Sequence, residues 1–277
     1  MREPEQFDIT LLPGAAALLA RHARELPQRD DLCGAFCGAL ALRAAGIEQH
    51  LGEPLDQDAV AIAAGSIVAP TRDPGTLPAG ETGRRDYRLS IPAIEDSALS
   101  GTTANGLLDA ITELSGGSLA CIPCSGPWNT RTLDGLFDLV AARERPVTLL
   151  ANLATHHLWG AAANVAQLLA YLLRGELEGP PPDWDVGHFA CVVGRIRGPA
   201  GNLFALADTY PSLGNRGVHL QPRERLAAAI AREDMPAGGV IVVTAAEDAD
   251  ALRAGAGELG LREGLWDNGT PAAGAAR

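Results

Sequence analysis

Lysine is absent from the chain, so all 22 residues counted as lysine or arginine are arginine. That absence excludes Schiff-base, phosphate-loop and Ser-Lys chemistry, and with them PLP enzymes, kinases and P-loop NTPases. Aromatic residues are scarce at 4%, and cysteine numbers five, an odd count for a chain of 277 residues. A chain of this size builds a core without staples, so reduced thiols are expected rather than disulfides. Positive charge is in deficit: 34 acidic residues against 22 basic ones give a net charge of −12. This argues against nucleic acid or an anionic membrane surface as a partner. There is no uninterrupted apolar run of about 18 residues to cross a bilayer. The opening MREPEQFDITLLPG also lacks the layout of a signal peptide, so a cytoplasmic protein is expected. What the chain does have is 47% hydrophobic and 20% charged residues, the composition of an ordered globular protein.

Apolar periodicity predicts helices over 13–26, 32–45, 56–66, 103–115, 133–143 and 158–174. Short apolar runs predict strands over 118–124, 146–153, 188–196, 202–210 and 238–246. Gly198-Pro199-Ala200-Gly201 is a strong turn signal that makes the third and fourth of these strands an antiparallel hairpin. Residues 67–102 gather Pro, Gly, Arg and Thr without periodicity and read as a long loop, functional or mobile. GPPPDW, 179–184, reads as a stiff connector and PAAGAAR, 271–277, as a frayed tail. The expected architecture is one two-lobed α+β domain over 1–277: a helical lobe over 1–115, a sheet lobe over 116–250 and a C-terminal tail over 251–277.

Cys33 opens the helix LCGAFCGALALRAA, nearly all small or apolar and therefore expected to be central and buried. A helix start is where the dipole and free N–H groups favour a thiolate and stabilise an oxyanion. Gln28, five residues earlier, is placed to add its side-chain amide as a second donor. His188 opens one strand of the hairpin and Asp208 closes the other. With a turn centred near residue 198, the two positions face each other at roughly 5 Å. Asp208 would then orient one ring nitrogen of His188 while the other faces Cys33.

The segments PQRDDLCGAFCGALAL, GHFACVVG and ADTYPSLG resemble the papain-like cysteine peptidases, most nearly the bacteriocin-processing (double-glycine) peptidase branch. That pattern is Gln, then Cys-Gly, then Gly-His in a hydrophobic strand, then Asp-Pro after the next strand. PVTLLANL is similar to the strand that precedes the histidine strand there. The resemblance implies a papain-like fold, with a central nucleophile helix packed on an antiparallel sheet. It also implies Cys33 as nucleophile, His188 as general base and acid, Asp208 as its orienter and Gln28 as oxyanion donor, with no cofactor and no metal. Two features depart from the pattern: Thr209-Tyr210 separate Asp208 from Pro211, and the chain is longer than the minimal peptidase domain. WDVGHF, DTYPSLG and LWDNGTP together also resemble an uncharacterised family of high-GC bacteria.

The expected activity is thiol-dependent acyl transfer by a cysteine peptidase or amidase, cleaving a peptide or amide bond through a Cys33 thioester. The partner is then a peptide or an amide-containing small molecule, chosen by loop 67–102 and insert 158–187. The alternatives are an amide-forming acyltransferase or cyclase in a biosynthetic pathway, and a non-catalytic peptidase-like binding domain. Cys37, one turn into the helix, is a weaker nucleophile candidate. Cys121-Ile122-Pro123-Cys124 is a redox-pair or half-zinc motif with no second pair to complete four ligands. His156 and His157, if on a strand, point to opposite faces and cannot share one metal. Trp128, Trp159, Trp184 and Trp266 are expected in the core, with lining of a cleft as the alternative.

Overall fold

A computed structural model describes residues 7–71 and 74–270. It is a mixed α+β structure built on an antiparallel sheet. The elements run β1 Asp8–Leu11, α1 Ala15–Glu25, α2 Cys33–Ala44, the small hairpin β2 Gln49–His50 and β3 Glu53–Pro54, then α3 Gln57–Ala63 and α4 Ala104–Leu114. There follow β4 Leu119–Ser125, α5 Thr130–Ala141, β5 Thr148–Ala154, α6 Val165–Arg174, β6 Gly187–Arg197 and β7 Asn202–Ala207. The chain continues through β8 Val218–Pro222, α7 Arg223–Ala231, β9 Gly239–Ala245, α8 Ala249–Glu258 and β10 Arg262–Glu263. The main sheet has the order β10-β4-β9-β5-β6-β7-β8, and β1 joins β6 along its second half.

The sequences of the strands explain this layering. All seven residues of β5, TLLANLA, are buried, which requires cover on both faces. α1 to α4 pack together, and α2 lies against β5 and β6; α7 meets β5, β7, β8 and β9, with α5 beside it and α8 packed on α5 and β4. α2 itself is buried from Gly34 to Leu42, with Arg43 turned outward. The helix expected to be central is central. Among the described residues no helix is long and apolar enough to cross a membrane.

Three expectations are corrected. The first residues were assigned to the helical lobe, yet β1 pairs with β6, Asp8 opposite Arg197. Helix 158–174 starts only at Val165, because Asn164 and Gln167 form a reciprocal capping box there and Trp159 is held in loop backbone by Gln221. Most of the tail over 251–277 is structured: α8, β10 against β4, and a following segment in which Trp266 is buried. The frayed tail expected at 271–277 lies outside the described residues.

Loop 67–102 has little regular structure but is tied down where it is described. Ile67 bridges to Gly101 and Val68 to Ala93. Asp30 Oδ1 accepts from Arg84 N (2.8 Å) and Asp31 Oδ2 from Ala69 N (2.8 Å), while Arg88 binds Asp56 (2.9 Å). The loop is thereby strapped over the N-terminus of α2.

Candidate active site

The hairpin delivers the histidine and the carboxylate by a register the sequence did not disclose. Across the turn Arg197 pairs with Asn202 and Gly194 with Ala205, but beyond a bulge at Val193 the pairs are Val192 with Leu206 and Cys191 with Ala207. Continued to the strand start, this register sets Asp208 opposite Ala190 and not opposite His188, correcting the direct pairing expected. Had the turn-side register persisted, Asp208 would project from the other face. The extra residue restores the parity, so Asp208 reaches His188 diagonally on one face.

His188 is 2% exposed and Asp208 1%. His188 Nε2 donates to Asp208 Oδ1 at 2.8 Å, which leaves Nδ1 as the ring nitrogen not engaged by Asp208. Thr209 N donates to the same carboxylate oxygen at 2.6 Å. Oδ2 accepts from His219 Nε2 at 3.0 Å. The donor role of His219 is fixed one step further out: its Nδ1 accepts from Gln221 Nε2 at 2.9 Å, and the Gln221 amide pairs with both Trp159 backbone groups at 2.8 Å. His22 Nε2 donates to the Asp208 carbonyl. Burial holds His22 below its usual range, so its ring is neutral.

The electrostatics follow from this geometry. Burial penalises a charged His188 ring, but the charge and hydrogen bond of Asp208 and the hydrogen bond with Cys33 outweigh it and push His188 up to about 10. Burial likewise disfavours the Asp208 anion, yet His188 and His219 hold it well below the usual carboxylate range. The Trp184 ring stands edge-on to His188 with centroids 4.8 Å apart and touches Tyr210 at 5.5 Å, shielding the pair from water.

Cys33 sits at the first position of α2, half-buried, and with Gln28, His188 and Trp184 lines a cavity of about 490 Å³. The N–H groups of Cys33, Gly34 and Ala35 precede the first intrahelical bond, Phe36 N to Leu32 O, so they are free donors at the helix start. Gln28 is buried, fixed by its own N–H to Thr209 O at 2.9 Å, and its Oε1 has no partner. All four residues singled out by sequence are thus brought together. Gly34 is required by close approach, since a Cβ there would lie 2.9 Å from Thr102 Cβ and 3.3 Å from Phe189. Gly34→Ala is expected to destabilise the fold by about 1–3 kcal/mol, read as a lowered urea midpoint.

The other thiols are placed differently. Cys37 is buried, donates to Phe189 O at 3.4 Å, and burial together with Cys191 pushes it well above the thiol range. Cys121 and Cys124 lie three apart on β4, an odd spacing that sends their side chains to opposite faces, and burial pushes both up to about 12. Neither a redox pair nor a shared metal suits that geometry. His156 and His157, by contrast, lie on a 3₁₀ turn, Thr155–His157, rather than on a strand. Their rings are 4.2 Å apart and both bind Asp234, at 2.7 and 3.1 Å. The two histidines therefore share a carboxylate, and the strand geometry from which opposite faces were expected is corrected to a turn. Hydrogen bonds from His157 and His156 hold Asp234 down to about 2, and their ligand atoms lie within 4.8 Å of one another.

Sequence reasoning missed His219, Asn152 and Arg232, and it expected Trp266 in the core, where it is. Asn152 Nδ2 donates to His188 O at 3.3 Å, and its Oδ1 accepts from Arg232 Nη1 at 2.7 Å and Trp266 Nε1 at 3.0 Å. The C-terminal segment closes the cavity, Asn268 Nδ2 donating to Thr102 O at 3.0 Å. The available signals were the alternation His219-Leu220-Gln221 beside a strand and a polar Asn within an apolar one. Of the four tryptophans only Trp184 lines the cavity; Trp128, Trp159 and Trp266 are buried.

The fold and site define an α+β protein with a Cys-His-Asp arrangement at the wall of a cavity. The chain belongs to DUF6885, a family of unknown function whose model matches residues 12–267. No curated protein is significantly similar to it.

Proposed function

We propose that the protein is a thiol-dependent acyl-transfer enzyme of the papain-like type, a cysteine peptidase or amidase acting through a Cys33 thioester. The observation that carries this reading is the buried Asp208–His188 pair, with His188 lining the same cavity wall as Cys33 at the start of α2. Cys33 Sγ gives its proton to His188 Nδ1, and the thiolate attacks the acyl carbon, forming the S–C bond while the carbonyl electrons move to oxygen. The free Cys33 N–H and the Gln28 side-chain amide are positioned to receive that oxyanion. His188 returns the proton to the leaving nitrogen, the C–N bond breaks and the amine departs. Water, or a second amine, then gives a proton to His188 and attacks the thioester, and Cys33 leaves with that proton. A water acceptor makes the enzyme a hydrolase, and an amine acceptor an amide-forming acyltransferase or cyclase.

A purely structural role for this set accounts poorly for a thiol left half-buried beside a cavity when the four other cysteines are fully buried. The test uses p-nitrophenyl acetate. Wild type is expected to release about one equivalent of nitrophenol in a burst, with the acetyl group mapped to Cys33, and Cys33→Ser to show no burst. Acceleration of turnover by added amine identifies the acyltransferase. Acetylation elsewhere, or an identical burst in Cys33→Ser, overturns the reading and favours a non-catalytic binding domain.

A further inference from the structure

Arg232 is a buried cation without a counter-ion. It is 2% exposed, yet among the described residues no carboxylate forms an ion pair with it and its Nε has no hydrogen-bond partner. Its one side-chain hydrogen bond runs from Nη1 to the neutral Asn152 amide oxygen at 2.7 Å. The comparably buried Arg195 shows the ordinary solution, pairing with Asp134 at 3.3 Å and Asp138 at 2.6 Å. Burying a guanidinium without such a partner is unfavourable, and burial holds Arg232 below the usual arginine range, with the nearby Cys33 and Asp234 offsetting it only in part.

The backbone around Arg232 is built to hold it. Arg232 caps α7 in the left-handed region, φ 48° and ψ 49°, where glycine is the usual occupant. A Cβ on Gly187, the residue before His188, would stand 3.0 Å from Nη2, and one on Gly238 would stand 2.6 Å from Arg232 Cδ. Two glycines thus clear a slot for the side chain. Arg232 lines the same cavity as Cys33 and His188, and it is the one basic residue other than histidine among the residues that do so.

We infer that Arg232 receives a carboxylate of the acyl donor, so that the substrate carries an anionic group beside the bond that Cys33 attacks. A carboxylate matches the guanidinium fork and supplies the countercharge the protein omits. Because the protein carries a net charge of −12, selection of an anion has to be local. This inference rests on the Cys33 reading above and names the substrate class for it.

The test compares Cys33 labelling by two small reagents of the same shape, the anion iodoacetate and the neutral iodoacetamide. The reference is the ratio of their rates at Cys33 in the urea-unfolded chain. In the folded wild type this ratio is expected to rise about tenfold, and in Arg232→Gln to return to the unfolded value. A wild-type ratio no higher than in the unfolded chain overturns the inference even if Arg232→Gln does not fold. So does an Arg232→Gln variant that slows both reagents equally, which assigns Arg232 to the thiolate alone. Reactivity of Cys33 without anion preference leaves the acyl-transfer reading standing, whereas no labelling by either reagent removes both.

Discussion

Replacing His188 with alanine is expected to slow alkylation of Cys33 by iodoacetamide at pH 6 about a hundredfold. The reason is the geometry: Asp208 holds His188 Nε2 at 2.8 Å, and His188 lines the same cavity as Cys33. The wild-type ring stays protonated until about 10, so the cationic ring stands at the cavity beside Cys33 throughout, and the wild-type rate is expected to change little between about pH 6 and 9. In His188→Ala the rate instead rises with pH as an isolated thiol ionises, near 8.5 for an unperturbed cysteine. Peptide mapping supplies the internal control, since Cys121 and Cys124, pushed up to about 12 by burial, stay unlabelled in both proteins. Equal rates for wild type and variant at pH 6, or labelling first at Cys121 and Cys124, would sink the activated-pair reading.

Asp208→Ala is expected to cost about 3–5 kcal/mol of stability at neutral pH, because it removes the shared acceptor of two buried histidines. The loss also has a pH signature. His188 is raised from 6.5 to about 10 on folding, so its contribution is fully present below about 6.5 and is lost as pH rises through about 10. Asp208 is lowered on folding, so its contribution is present above its ordinary value near 4 and is lost as pH falls into the acid range. Urea unfolding of the wild type therefore shows greatest stability at mildly acid pH, with a decline towards pH 10. In Asp208→Ala that alkaline decline shrinks, since the largest influence holding the His188 charge is gone and only Cys33 remains to favour it. If both proteins lose the same stability between pH 6 and 10, the buried pair is not what the pH dependence reports.

The parts of the site that could be read from sequence are those whose chemistry is written locally. Cys33-Gly34 at a helix start, Gly187-His188 at a strand start and Asp208 at a strand end each sit in a short pattern of fixed secondary structure. The residues that could not be read meet across long separations: Asn152 and His188 lie 36 residues apart, Arg232 and Asn152 80, Trp266 and Asn152 114. No periodicity links such positions, and a lone polar residue in an apolar strand reads the same whether or not an arginine and a tryptophan converge on it. His156-His157 shows the same limit at short range, because treating the pair as strand gave opposite faces where a 3₁₀ turn brings both rings to Asp234.

By itself the sequence determined the absence of lysine chemistry, the buried character of the Cys33 helix, the strands and their hairpin, and the four residue types that assemble at the cavity. These follow from composition and from the 3.6- and 2-residue periods of helix and strand, which act over a few residues. Tertiary structure decided the rest. The bulge at Val193 put Asp208 on the face of His188, the C-terminal segment brought Asn268 to the cavity wall and Trp266 to Asn152, and the slot between Gly187 and Gly238 set Arg232 on the same cavity as Cys33. One inserted residue inverts the parity of a strand, and packing across the sheet joins residues a hundred positions apart, so neither is contained in any local pattern.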